Sequence, residues 1–76
     1  MTGTLDLRGV ECPLNYVKAR LALEPLSPGT ELDVLLDAGE PVRNVPRSLA
    51  DDGNTVVALD EQPDGYYRLR VRKQTP

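Results

Sequence analysis

Thr30-Glu31-Leu32-Asp33-Val34-Leu35-Leu36-Asp37 is the stretch from which the fold can be read. Leu32, Val34 and Leu36 fall on one side of an extended chain, Glu31, Asp33 and Leu35 on the other, the period of a strand with one buried face. Ser27-Pro28-Gly29 immediately upstream is a stop signal for a preceding helix. That helix is predicted to open at Pro13, whose fixed φ suits the first helical position and whose missing N–H would be unpaired there. Its inward stripe is predicted to be Leu14, Val17, Leu21 and Pro25, with the stem of Lys18 at the edge. Earlier still, Thr4-Leu5-Asp6-Leu7-Arg8 alternates as a strand and is ended by Gly9.

Downstream, Asp37-Ala38-Gly39-Glu40-Pro41 turns into a second helical stretch carrying Val42, Val45 and Leu49. Pro46 inside it predicts a tight turn at 41–44 and the better helix at 45–52. Gly53 suits the left-handed position that closes a helix. Thr55 to Glu61 reads as the third strand, and Gln62-Pro63-Asp64-Gly65 as a turn. Tyr66 to Lys73 alternates again, with Tyr67, Leu69 and Val71 opposed to Arg68, Arg70 and Arg72. The order β-α-β-α-β-β predicts parallel pairing early in the chain and a closing hairpin. Two short helices cannot cover both faces of four strands. A two-layer sandwich with both helices on one face and the other face open is the expected architecture.

Seventy-six residues make one domain, 1–76, with a thin core, since a chain this short hides only about 60% of its unfolded surface. The single Cys forbids an internal disulfide, a Cys-x-x-Cys pair and a multi-Cys zinc site. With no His, the sequence offers no His-ligated metal, no Ser-His or Cys-His pair and no imidazole proton shuttle. The expected complement of metals and cofactors is therefore none. A net charge of −3 argues against bulk nucleic-acid binding. No apolar run reaches the ~20 residues of a membrane helix, and Met1-Thr2-Gly3-Thr4 lacks a signal-peptide pattern. An unpaired thiol without an export signal predicts a reducing cytoplasm.

Chemistry is concentrated in Asp6-Leu7-Arg8-Gly9-Val10-Glu11-Cys12-Pro13-Leu14-Asn15. Cys12 directly precedes the proline expected to start the first helix, where unpaired amides and the positive end of the dipole favour thiolate over thiol. Arg8 would add positive charge if the loop folds back, and Glu11 would subtract some. A free Cys is often only a small buried hydrophobe. Cys12 instead follows a polar residue in a turn and sits off the apolar stripe, which marks a reactive thiol.

The run Asp6-Leu7-Arg8-Gly9-x-x-Cys12-Pro13, with Lys18 in the helix and Pro28-Gly29 at its end, resembles the TusA family of small sulfur carriers, which includes SirA-like proteins. The similarity extends from about residue 5 to the C-terminus. It implies a mixed sheet in the order 1-2-4-3 with both helices on one face. It also implies a persulfide carried on Cys12, a cysteine desulfurase or rhodanese-like protein as sulfur donor, and a thiol-bearing acceptor protein. The acceptor would belong to a relay serving tRNA thiolation, sulfur oxidation or cofactor assembly. On this reading Arg8, Glu11, Pro13, Asn15 and Lys18 form the rim that a partner touches. Two positions depart from the family pattern: Asn15 stands where a second proline is usual, and Asn54 follows Gly53 where many members carry His. Asn15 is expected to return one backbone N–H donor to the neighbourhood of the sulfur.

Arg68, Arg70 and Arg72 open an alternative, a phosphate- or RNA-binding face. If the last strand pairs with the second, however, these arginines face Glu31 and Asp33 and are neutralised in place. Few aromatic side chains are available to stack on bases. A second alternative is a regulatory or interaction module in which Cys12 is redox-sensing or vestigial. Leu35 on the open face, with Val57 or Leu59, is a possible weak dimer contact, so the expected state is a monomer or a weak dimer. Asp51-Asp52 and Asp60-Glu61 read as solvated charge, and Asp37 receives no role.

Overall fold

The computed structural model describes residues 3–11 and 13–74. Among these the chain forms β1 (Gly3–Asp6), α1 (Leu14–Leu23), β2 (Glu31–Leu36), α2 (Glu40–Asp51), β3 (Thr55–Glu61) and β4 (Tyr67–Arg72). The sheet runs β1-β2-β4-β3, with β1 parallel to β2 and the other neighbours antiparallel. Leu32, Val34 and Leu36 of β2 and Leu69 and Val71 of β4 pack with Ala19 and Leu23 of α1 and Val45 and Leu49 of α2 in a single core. Both helices therefore lie on one face of the sheet, as the alternation of β2 and β4 requires.

The open face carries the charged halves of the same strands. Arg70 lies across from Asp33 and Arg72 across from Glu31. The Arg70 guanidinium donates to both Asp33 oxygens at 2.8 and 3.2 Å, and Arg72 Nη2 to Glu31 at 2.9 Å. Asp33 is almost fully covered, and the hydrogen bonds from Arg70 hold its carboxyl below the usual range. The arginine stripe is thus largely a set of cross-strand ion pairs.

Four local expectations are corrected. The stripe Leu14, Val17 and Leu21 does not face the core: these side chains are 51%, 40% and 57% exposed, and the buried line is Asn15, Ala19 and Leu23. At 100° per residue the two lines lie on nearly opposite sides of α1. The helix is apolar around most of its circumference, so periodicity alone could not choose between them. Next, α2 is continuous from Glu40 to Asp51 with Pro46 inside it. Val45, Pro46 and Leu49 are all buried, and core packing keeps the turn that proline would otherwise break.

The third correction concerns β3, where Val56 pairs with Val71 but Ala58 with Arg70, a bulge that leaves Val57 as the extra residue. It reverses the alternation, so Leu59 lies opposite Leu69 on the helix side rather than beside Leu35 on the open face. Finally, α1 ends at Leu23, before the Ser27-Pro28-Gly29 stop. Lys73 Nζ donates to the carbonyls of Leu23 and Glu24 at 2.8 and 2.6 Å, placing a cation on the negative end of the helix.

Gly53 behaves as expected. Its φ of +97° closes α2, Gly53 N–H donates to the Ala50 carbonyl and Asn54 N–H to that of Leu49, the paired bonds of a Schellman cap. The Asn54 side chain adds a second bond to the Leu49 carbonyl.

Candidate functional site

The loop joining β1 to α1 is fixed from three sides. Leu7 continues the ladder beyond β1, donating to the Leu35 carbonyl at 2.9 Å, and its side chain is buried. Asp6 accepts from the Arg8 backbone N–H at 3.0 Å and from the Arg8 guanidinium at 2.9 and 2.8 Å. These bonds draw the Asp6 carboxyl down to about 2. The Arg8 guanidinium also lies 4.5 Å from the centre of the Tyr66 ring, at the far end of the β3–β4 turn. The positive charge expected to serve the thiol is thus already committed to Asp6.

Gly9 takes φ +80°, a conformation costly for any side chain. Its N–H donates to Asp37 Oδ2 at 2.6 Å, which ties the loop to the end of β2. Asp37 was given no role from sequence, yet it anchors the turn that leads to the thiol segment. The signal available was a glycine turn with an unassigned amide and a carboxylate at the end of the neighbouring strand. An open groove of about 480 Å³ runs between this loop and the start of α2, lined by Gly9, Val10, Glu11, Asp37, Ala38, Glu40 and Pro41.

Beyond Gly9, Glu11 and Pro13 are exposed, and Cys12 between them lies outside the described residues. The Asn15 N–H donates to the Glu11 carbonyl at 3.0 Å and the Val17 N–H to that of Pro13 at 3.1 Å. The Tyr16 N–H donates to Asn15 Oδ1 at 2.7 Å. Three amides of the first turn are therefore already bonded, including the one that Asn15 was expected to supply to the sulfur.

Asn15 is wholly buried. It cannot belong to an exposed rim, because its Cβ points with Ala19 and Leu23 toward the sheet. Its Nδ2 has no hydrogen-bond partner. Of the expected rim, Arg8, Glu11, Pro13 and Lys18 are exposed. Among the described residues no group of three or more Cys, Asp or Glu side chains has the arrangement of a metal site, and no helix is long and apolar enough to cross a membrane.

The chain is similar to known proteins in both sequence and fold. The profile of the TusA sulfurtransferase family fits residues 3–73. The chain belongs to the TusA family. It is 36% identical over 69 residues to a protein of Methanocaldococcus jannaschii provisionally named a sulfur carrier, covering 91% of each chain. A protein of the same provisional name in Archaeoglobus fulgidus is 31% identical over 70 residues, covering 92% of this chain and 80% of the relative. In fold, the chain is similar to the crystal structure of a SirA-like protein from Desulfitobacterium hafniense. The TM-score is 0.83 at 23% identity, over 96% of this chain and 99% of that one.

Proposed function

We propose that this TusA-family protein is a sulfur carrier that accepts sulfane sulfur as a persulfide on Cys12 and hands it to an acceptor protein. The observation that carries the reading is the family match over residues 3–73, combined with a sequence whose one thiol falls at the loop–helix junction. The exposure of both chain neighbours, Glu11 and Pro13, supports access from outside.

The chemistry is thiol exchange. The Cys12 thiolate attacks the outer sulfur of a donor persulfide, forming a Cys12 S–S bond while the donor's S–S bond breaks and its thiolate leaves. An acceptor thiolate then attacks the outer sulfur on Cys12, forming the acceptor persulfide and releasing the Cys12 thiolate. Each step is redox-neutral and conserves charge, and its rate follows thiolate fraction, leaving-group pKa and access. The donor is a cysteine desulfurase or a rhodanese-like protein, the acceptor bears a thiol, and the relay serves tRNA thiolation, sulfur oxidation or cofactor assembly. A reducing cytoplasm is the compartment that keeps such a thiol free. Within the site, Asp37 and the Asp6–Arg8–Tyr66 contacts hold the loop rather than exchange protons.

Intact mass measurement after incubation with desulfurase and cysteine tests the reading. An adduct of about 32 Da, one sulfur atom, is expected on the wild type and not on Cys12→Ser. A Cys12→Ser protein that keeps full cellular function would instead identify a regulatory or interaction module.

A further inference from the structure

Among the described residues β3 is the longest strand of the sheet and the least covered. It pairs with β4 on one side only and forms the edge opposite β1. Val56, Val57 and Leu59 stand 37%, 40% and 41% exposed, and no side chain of β3 joins the core. An apolar run, Val56-Val57-Ala58-Leu59, thus lies on a bare sheet edge, and such an edge is a template for pairing with another chain.

The direction of the backbone shows where a further strand would attach. Gln62 follows β3 in register and donates its N–H to the Tyr66 carbonyl at 2.7 Å, so its backbone groups face β4. Pairing is regular from Glu61↔Tyr67 back to Ala58↔Arg70. Backbone direction alternates along an antiparallel strand, so Asp60 and Ala58 also face β4, while the N–H and C=O of Leu59 and Glu61 point outward. No strand of the described residues lies on that side. Main-chain hydrogen bonds from an added extended segment would complete these groups.

Register and charge select a second copy of this chain. An antiparallel twin centred on Leu59 lets the two outward Leu59 backbones bond each other. It lays Leu59 on Leu59, Asp60 on Ala58 and Glu61 on Val57, and no like charges meet. A centre on Asp60 would oppose two carboxylates and call on backbone groups already turned to β4. A centre on Ala58 would rest the hydrogen bonds on the bulged Val57. Twofold pairing consumes the long edge of each copy and leaves the four-residue β1 strands outermost, so assembly closes at two.

We infer that β3 pairs antiparallel with β3 of a second copy about a twofold axis at Leu59, joining two four-stranded sheets into one of eight. The β1–α1 loops then lie at the two far ends, open to other proteins. Paired strand and half-exposed aliphatic side chains cover of order 400 Å² on each copy, against about 800 Å² per partner in a lasting complex, so the dimer is short-lived.

Sedimentation equilibrium and amide hydrogen exchange by NMR test the pairing. The weight-average mass should rise toward that of a dimer between about 50 μM and about 1 mM, and the Leu59 and Glu61 amides should exchange at least twofold more slowly at the higher concentration. Leu59→Lys, which sets two ammonium groups at the axis, should raise the dimer Kd at least tenfold, with far-ultraviolet circular dichroism confirming the fold. Leu35→Lys on the open face and Leu21→Glu on α1 should leave that Kd within twofold of wild type. A wild-type mass that stays monomeric at about 1 mM overturns the inference and leaves the edge to a different chain. Leu59 and Glu61 amides that exchange equally at both concentrations overturn it without any variant. Association that survives in Leu59→Lys and is lost in Leu35→Lys or Leu21→Glu overturns it in favour of another face.

Discussion

Replacing Asn15 by Leu is expected to make the protein more stable, although it deletes a hydrogen bond in the first turn of α1. The side chain is enclosed, its Oδ1 accepts from the Tyr16 N–H at 2.7 Å, and its Nδ2 has no partner. Losing the Tyr16 bond costs about 0.5–1.5 kcal/mol, while removing a buried unpaired donor returns about 1–3 kcal/mol. Leucine also prefers the helix to asparagine by roughly 0.5 kcal/mol. Leu has the same number of side-chain heavy atoms as Asn but bulkier methyl groups, so some overpacking offsets part of the gain. The balance is a gain of about 1 kcal/mol. For a domain of this size that raises the melting temperature by about 4–8 °C.

Thermal unfolding followed by far-ultraviolet circular dichroism reads this directly. Asn15→Asp is the complementary variant: it keeps the shape, places an unpaired charge in the same enclosure and should lower Tm steeply. Asn15→Pro, which installs the proline usual in the family, loses both the Asn15 N–H bond to Glu11 and the unpaired Nδ2, and should leave Tm within a few degrees of wild type. A fall in Tm of several degrees in Asn15→Leu would refute the reasoning, since it would mean that the carboxamide is fully bonded in solution.

Asp37→Ala removes the acceptor of the Gly9 amide; a loss of about 1–2 kcal/mol in urea unfolding is expected, with faster hydrogen exchange at Gly9 by NMR. The Asp6 carboxyl is drawn down to about 2 from 3.8, and that of Asp33 is lowered by Arg70, so the stability they contribute is present above the ordinary carboxylate range and lost as pH falls through their lowered values. Asp33→Asn should therefore have a lower Tm at pH 7 and a smaller further drop on acidification than wild type, as scanning calorimetry across that range would register. Leu49→Ala opens the core between α2 and the sheet and should cost about 2–5 kcal/mol, enough to leave much of the chain unfolded at 37 °C by circular dichroism. Because Arg70 and Arg72 are paired with Asp33 and Glu31, titration with single-stranded RNA at low salt should be flat in fluorescence anisotropy; micromolar binding lost in Arg68→Ala would contradict this.

Legibility from sequence followed the number of competing placements for each residue. In β2 and β4 only one registration buries Leu32, Val34 and Leu36 with Leu69 and Val71 while pairing Asp33 with Arg70 and Glu31 with Arg72, so strand faces and the ion pairs could be read in advance. Gly53 likewise had one place to fill, because the left-handed position that closes a helix is costly for a residue with a Cβ. In α1 apolar residues occupy both the buried line of Ala19 and Leu23 and the outer line of Leu14, Val17 and Leu21, so local spacing did not choose between them. The bulge at Val57 depends on how β3 meets β4, and the continuity of α2 through Pro46 on burial of that ring, neither of which local spacing encodes. Asp37 escaped notice because its partner, the Gly9 amide, lies 28 residues away in sequence.

The polar side chains around the thiol segment are mostly spent on one another. Arg8 is held by Asp6 and Tyr66, Asp37 by Gly9, and the first-turn amides by Glu11, Pro13 and Asn15. Glu11 and Lys18 flank the segment as exposed charges. Thiol exchange asks for little more than a thiolate, an accessible sulfur and a partner held close. Asp37 ties the loop to the end of β2 through the Gly9 amide. On the carrier reading, releasing that tie in Asp37→Ala should alter loading of Cys12 from protein and small-molecule donors alike.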